Sequence, residues 1–452
     1  MSQSEFTDRR NRFLDQMSDG IAVFKSAPVC RRSADVDHPY RPDSDFFLLT
    51  GFDEPESYAV LLRRGIDRRF VLFVRPNDPE QETWVGRRAG LEGAVRDFGA
   101  DEAEDSSRFF ERIPGLLTNQ PRLYLEFGAD PTFDGRIGQI IEGLKAEARK
   151  NICGPWQIID PRIILWEIRL LKTDRDIEAI EAACQVTLAG VAAGMQAVIP
   201  GMNERELAAV VEFEFRRRGS GHPGFETICA SGANAATLHY IRNDAPIRDG
   251  DLVLIDAGAE LGMVSGDISR TFPANGRFTS LQKRVYEWVL KAQEAAIATV
   301  KQDATYAQVH EAGLEILVAG LIDLGVLTGN PRELIETGAY RPYFMHRIGH
   351  WLGADVHDVG PYFVDGNSIK LRAGMVITIE PGLYFPDVPT TPEIFRGMGI
   401  RIEDDVLVTP TGSRVLTVAL PKSVDAIEKF MNELGCWWNN LRPVTRPESE
   451  IA

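Results

Sequence analysis

Two stretches decide how the chain is read: IRDGDLVLIDAG, residues 247–258, and LRAGMVITIEPG, residues 371–382. Aligned without gaps, Arg248 matches Arg372, Gly250 matches Gly374, Ile255 matches Ile379 and Gly258 matches Gly382. Asp256 falls on Glu380. Each stretch is a glycine followed by an aliphatic run of the buried-strand type, and in each a carboxylate interrupts the run. Segments of glycine and strand also look alike by chance. The sharper reading is an internally duplicated domain with pseudo-two-fold symmetry, in which two equivalent strands, each ending in a carboxylate, approach one centre.

Around these stretches the second half of the chain reads as helices and strands. Periodicity 3.6 runs from residue 163 to Val198, with Thr173 before an acidic stretch that suits a helix start. Pro200-Gly201 ends it. Helices are expected over 203–218, 280–301 and 303–326. Strands are expected near 225–232, 250–260, 262–272, 374–385 and 398–409. Residues 1–160 read as α/β, with a charged helix near 4–18 and another over 135–150. Strands there are expected at 21–24, 58–62, 70–74 and 121–127, and Trp84 is taken as a strand residue. No glycine-rich phosphate loop sits at a strand-to-helix junction. The expected division is a domain over 1–170, a second over 171–440 and a polar, proline-containing tail over 441–452.

The chain has 452 residues with 44% apolar and 26% charged, enough for two sizeable cores. Its formal net charge is −16, which argues against nucleic acid or an anionic membrane surface as partner. The five cysteines Cys30, Cys153, Cys184, Cys229 and Cys436 are odd in number and scattered, with no CxxC. Neither a disulfide framework nor a cysteine zinc site is expected. The N-terminus has no apolar stretch of signal-peptide length, and no run of membrane-spanning length is read. The expectation is a cytoplasmic protein. The acid excess is uneven, −5 over residues 1–170 and −11 over 171–452. Most of it is solvated surface; the question is whether some of these acids are buried.

The strands point to which. Leu252–Ile255 leads into Asp256, Val376–Ile379 into Glu380, and Ile400–Ile402 into Glu403, which is followed by the apolar 406–408. A carboxylate at the end of a core strand is costly unless it is paired or bound to a metal. One such case usually means a backbone hydrogen bond. Three, with Asp267 on the strand returning from Asp256, suggest convergence. Four of the seven histidines are His239, His346, His350 and His357, and three of them lie within MHRIGHWLGADVHDVG. Imidazole with several carboxylates suits Mn²⁺, Co²⁺, Fe²⁺ or Zn²⁺. Four carboxylates and one imidazole can hold two divalent ions, and metal-assisted hydrolysis is the expected chemistry.

LIDAGAELGMVSGDISRTFP (254–273), MHRIGHWLGADVHDVG (345–360), ITIEPGLY (377–384) and GIRIEDDVLVT (399–409) resemble the metallopeptidase family that includes aminopeptidase P, prolidase and methionine aminopeptidase. SADVDHPYRPDSDFFLLTGFDEPE (33–56) and ETWVGRR (82–88) are similar to the first domain of its aminopeptidase P branch, so the resemblance covers about residues 5–430. It implies an α/β N-terminal domain and a pita-bread C-terminal domain with pseudo-two-fold symmetry. It implies two divalent ions, Mn²⁺ first, held by Asp256, Asp267, His350, Glu380 and Glu403, with Asp267 and Glu403 bridging. The activity implied is cleavage between an N-terminal residue and a following proline by a hydroxide bridging the metals.

Further roles come from the same resemblance. Glu380 is the general base, His357 binds the tetrahedral intermediate, and His239 and His346 bind substrate or shuttle protons. Tyr384 and Arg401 support the site, and Trp84 reaches a neighbouring subunit's pocket in a homodimer or homotetramer. Two positions depart from the family: Arg347 where it carries Gly, and Gly349 where relatives often have Ser. The alternatives are an Xaa-Pro dipeptidase (prolidase), possible side activity on phosphotriesters included, a metal-free amidinohydrolase, and a catalytically silent binding module.

Overall fold

The computed structural model describes residues 3–433, so Cys436 and the expected tail 441–452 lie outside the described residues. The described residues form two compact units, divided between Ile168 and Arg169.

In the first unit a six-stranded mixed sheet has the order Glu102–Asp105, Asp67–Val74, Tyr58–Arg64, Gly20–Lys25, Arg122–Tyr124, Gln157–Ile159. Side chains alternate across a strand, and both faces of this sheet are apolar. Ile21 and Val23 pack with Phe109, Ile113 and Ile137 on one side. Ala22 and Phe24 pack with Phe13, Phe46 and Leu49 on the other. The sheet is therefore covered by helices on both faces. Trp84 corrects the strand reading: it sits in the helix Pro79–Val85 and is 82% exposed. Asp78 caps that helix by accepting from the Glu80 and Gln81 N–H groups, and Pro79 at its first position costs no hydrogen bond.

In the second unit four long helices begin with capping boxes. Thr173 opens Asp174–Ala197, Asn203 opens Glu204–Arg217, Thr279 opens Ser280–Thr299 and Thr305 opens Tyr306–Asp323. The first two pack as one pair and the last two as another. The helical run expected from 163 to 198 is two helices, Arg162–Leu170 and Asp174–Ala197, because the Thr173 cap starts a new one. Asp174–Ala197 is, by length and composition, apolar enough to cross a membrane, contrary to the sequence reading. Its charges crowd the N-terminal turns, and 56% of the apolar window is buried within the fold.

Both duplicated stretches form strands, one central in its sheet and one at the edge of another. Leu252–Ala257 lies between Ile228–Ser231 and Ile268–Pro273 in one antiparallel sheet, and Val376–Ile379 pairs with Asp404–Thr409 in another. Both are preceded by a left-handed glycine, Gly250 at φ 84° and Gly374 at φ 92°, a conformation glycine adopts without steric cost. The two strands expected over 374–385 and 398–409 are each broken. Gly382–Phe385 and Met398–Arg401 leave to form a separate two-stranded sheet. The breaks fall at Glu380-Pro381 and at Ile402-Glu403. Pro381 has no N–H with which to continue the ladder. Ile379 lies opposite Asp404, so Glu380 and Glu403 leave the paired strands side by side.

Candidate metal centre

Asp256 lies on the central strand Leu252–Ala257, and Asp267 immediately precedes the next strand. His350 comes from the irregular segment after the helix Pro331–Glu336 and lies beside Val376–Ile379, where the Thr378 N–H donates to its carbonyl. One ligand atom each from Asp267, His350 and Glu403 lie within 4.8 Å of one another. His350 Nε2 is 3.4 Å from Asp267 Oδ2 and 3.7 Å from Glu380 Oε1. His350 Nδ1 donates to the Trp351 carbonyl at 3.0 Å, which leaves the Nε2 lone pair facing the carboxylates. Asp256, Asp267 and Glu403 are only 8%, 4% and 2% exposed. Oδ1 of both Asp256 and Asp267 is buried with no hydrogen-bond partner among the described residues. Burial first, then mutual repulsion, pushes the Asp267 and Glu403 carboxyls well up. Orphaned anionic oxygens, crowded carboxylates and an imidazole with its lone pair free fit a divalent cation of hard or borderline character.

Arg401 organises the rest. Its Nη2 donates to Asp256 Oδ2 at 2.5 Å, its Nε to Ser269 Oγ at 2.8 Å and its Nη1 to the Tyr384 hydroxyl at 3.0 Å. Ser269 then donates to Glu403 Oε2 at 2.8 Å. Tyr384 OH is 2.9 Å from His346 Nε2, and His346 Nδ1 is 2.7 Å from the Arg347 carbonyl. A carbonyl only accepts, so Nδ1 carries the proton and Tyr384 donates to Nε2. One guanidinium thus fixes two carboxylates and one histidine. Burial, then the field of Arg401, lowers His346 to about 3, so it is a neutral hydrogen-bonding group.

His357 packs edge-on against His350 with ring centroids 4.4 Å apart. Its loop is tied down at the next residue, where Asp358 accepts from Arg169 Nε and Lys172 Nζ, both at 3.0 Å. His239 lies on an irregular loop pinned by Glu204. That buried carboxylate accepts five hydrogen bonds: Ser231 N–H, Ser231 O–H and Asn234 on Oε1, Tyr240 O–H and Ala245 N–H on Oε2. Asp256, Asp267, His239, His346, His350, His357, Glu380, Arg401 and Glu403 all line one cavity of about 850 Å³. Tyr384 lies behind it, fully buried. Trp84 belongs to the other unit.

The sequence reading missed Ser269, Asp405 and Glu204. Asp405 Oδ2 accepts the Asp267 N–H at 3.0 Å and the Cys184 thiol at 3.1 Å, and burial pushes its carboxyl up to about 7. Its signal was the second acid of the pair 404–405 inside a core strand. Gly349 explains its own departure: a Cβ there would stand 1.7 Å from the Thr378 carbonyl oxygen. This close approach lets His350 N–H reach Thr378 Oγ1 at 3.0 Å.

The comparisons with known proteins agree with this geometry. The model of metallopeptidase family M24 matches residues 178–410, and that of the aminopeptidase P N-terminal domain matches residues 6–124. Xaa-Pro aminopeptidase of Haemophilus influenzae is 41% identical, covering 96% of this chain and 98% of its own. The structure of Pseudomonas aeruginosa aminopeptidase PepP is 43% identical with TM-score 0.92, covering 95% and 98%. Zinc-substituted Escherichia coli aminopeptidase P in complex with product is 40% identical with TM-score 0.93, covering 95% and 98%. The chain belongs to metallopeptidase family M24 and carries the N-terminal domain of the aminopeptidase P type.

Proposed function

We propose that the chain is a metal-dependent aminopeptidase that hydrolyses the bond between an N-terminal residue and a following proline. The observation that carries this reading is the convergence of Asp267, His350 and Glu403 within 4.8 Å, in a cavity also lined by Asp256 and Glu380. Residues 171–440 form the catalytic domain and 1–170 the N-terminal one. Asp256, Asp267, His350, Glu380 and Glu403 hold two divalent ions, Mn²⁺ by preference. When bound, such a pair supplies an activated water and polarises the scissile carbonyl.

The chain's own groups do the rest. Glu380, whose carboxyl is raised by burial, is the general base that takes the proton of the attacking water. Its Oε2 is 3.5 Å from His346 Nδ1, so it stands beside the His346–Tyr384–Arg401 chain, which keeps the proton-handling groups in register. His357 donates a hydrogen bond to the oxygen that develops charge, and His239 orients the peptide. Arg401 holds Asp256 in its ligating pose and keeps Tyr384 against His346. The active form is a cytoplasmic homodimer or homotetramer in which Trp84 completes a neighbouring pocket.

The test is cleavage by apo protein reloaded with Mn²⁺, Co²⁺ or Zn²⁺, comparing Xaa-Pro with Xaa-Pro-Yaa-Yaa. Release of the first residue from the longer peptide is the expected result. Turnover of the dipeptide alone would assign a dipeptidase, and no turnover with any of the three metals would remove the reading.

A further inference from the structure

Arg347 is left over from this machinery. It follows His346 directly, it lines the same cavity, and its side chain is exposed. The cavity wall holds one other arginine, Arg401, whose guanidinium is taken up by Asp256, Ser269 and Tyr384. Among the described residues the Arg347 guanidinium has no hydrogen-bond or ion-pair partner; only its carbonyl is engaged, by His346. Its charge is felt at Tyr306 and His310 on the helix Tyr306–Asp323, which places it by the aromatic side of the cavity. Tyr306 donates to the Gly349 carbonyl at 2.8 Å, Tyr362 stacks on Trp351 with ring centroids 5.1 Å apart, and Phe363 packs edge-on to Tyr306. A fixed aromatic wall therefore ends in an unpaired, permanently charged fork.

The substrate's own charges decide which part meets it. An aminopeptidase substrate carries an ammonium on the residue before the scissile bond, and a guanidinium repels it. A carboxylate side chain on the first residue shares that residue with the ammonium, so the net favourable contact lies beyond the bond, where a peptide carries carboxylates without a neighbouring ammonium. Guanidinium and carboxylate match as two parallel hydrogen bonds, which a glycine at this position could not supply.

We propose that Arg347 is a specificity-determining residue that binds a carboxylate on the leaving-group side of the scissile bond. The inference rests on the aminopeptidase reading. Two sources share this chemistry: the C-terminal carboxylate of a short peptide, and an acidic side chain after the proline.

Two substrate pairs separate the sources on the full chain reloaded with Mn²⁺. One is Ala-Pro-Ala against its C-terminal amide. The other is Ala-Pro-Glu-Ala amide against Ala-Pro-Gln-Ala amide. In at least one pair kcat/KM is expected to favour the anionic member about three- to fivefold, the scale of an exposed, well-formed ion pair. The preference falls to near one in Arg347→Ala, is partly kept in Arg347→Lys and inverts in Arg347→Glu. Raising the salt on the unmutated protein shrinks it as well, so the test survives a variant that does not fold. Ratios near one in both pairs, or a ratio unchanged in Arg347→Ala, would overturn the proposal. If neither member of either pair is cleaved, it is the aminopeptidase reading that fails; equal cleavage of both members removes only the role of Arg347.

Discussion

Glu204→Gln isolates what one buried carboxylate does for the site. Glu204 is fully buried at the first turn of Glu204–Arg217 and accepts five hydrogen bonds, three on Oε1 and two on Oε2. In glutamine the amide oxygen can keep the three-donor side. The amide nitrogen then faces the Tyr240 hydroxyl, which can rotate to accept, and the Ala245 N–H, which cannot. A buried N–H left unpaired costs about 1–3 kcal/mol, and the four bonds that remain, three to a neutral oxygen and one reversed at Tyr240, each lose their charged partner and about 0.5 kcal/mol. The expected destabilisation is about 3–5 kcal/mol, read from urea unfolding by circular dichroism. Tyr240→Phe removes one donor and strands none, so it costs about 1 kcal/mol or less. The 237–246 segment carrying His239 loosens in Glu204→Gln, so KM rises at least about fivefold, an effect of about 1 kcal/mol. Metal content stays unchanged, because the proposed ligands come from other elements. A loss of stability below about 1 kcal/mol, or KM unaltered in a destabilised variant, would refute the argument that this carboxylate holds the His239 loop.

Three other expectations can be measured. Ser269→Ala cuts the link from Arg401 Nε to Glu403 Oε2; metal affinity by competition with a chelator drops about 10- to 100-fold, and an unchanged affinity would show the link to be dispensable. Glu380→Gln abolishes turnover while circular dichroism stays native, and near-normal kcat would remove Glu380 as the base. His310 is buried, and burial, then the field of Arg347, lowers it to about 4. The unfolded chain binds this proton near pH 6.5, so the stability it contributes is full above that and is lost as pH falls towards 4. The loss is about 3 kcal/mol. His310→Leu removes this component, and a stability difference between the two proteins that is flat from pH 7 to 4 would contradict it.

Local chemistry was legible in the residues themselves. The repeated glycines Gly250 and Gly374, the helix start at Thr173 and the core strands leading into Asp256 and Glu380 each depend on a few neighbours, so order along the chain reveals them. Two features defeated local reading for identifiable reasons. The strands over 374–385 and 398–409 look continuous because apolar residues resume after the acids in each, yet each changes sheet at a carboxylate. Trp84 has strand-like neighbours, but the Asp78 cap and Pro79 start a helix there. The supporting network was hidden for another reason. Ser269 and Arg401 are 132 residues apart, Glu204 and Ala245 are 41 apart, and Asp405 meets Asp267 across 138. None of these spacings is periodic, so nothing in the linear order predicts the pairing.

By itself, then, the sequence determined which residues are too costly to bury alone: acids at the ends of apolar strands, histidines in a short run, and a duplicated turn and strand. Only the tertiary structure decided where their unmet valences point. Convergence of Asp267, His350 and Glu403, the saturation of Arg401 and the freedom of Arg347 are properties of distance and direction. Burial turns distance into energy, because a charge removed from water must find its partner within a few ångströms.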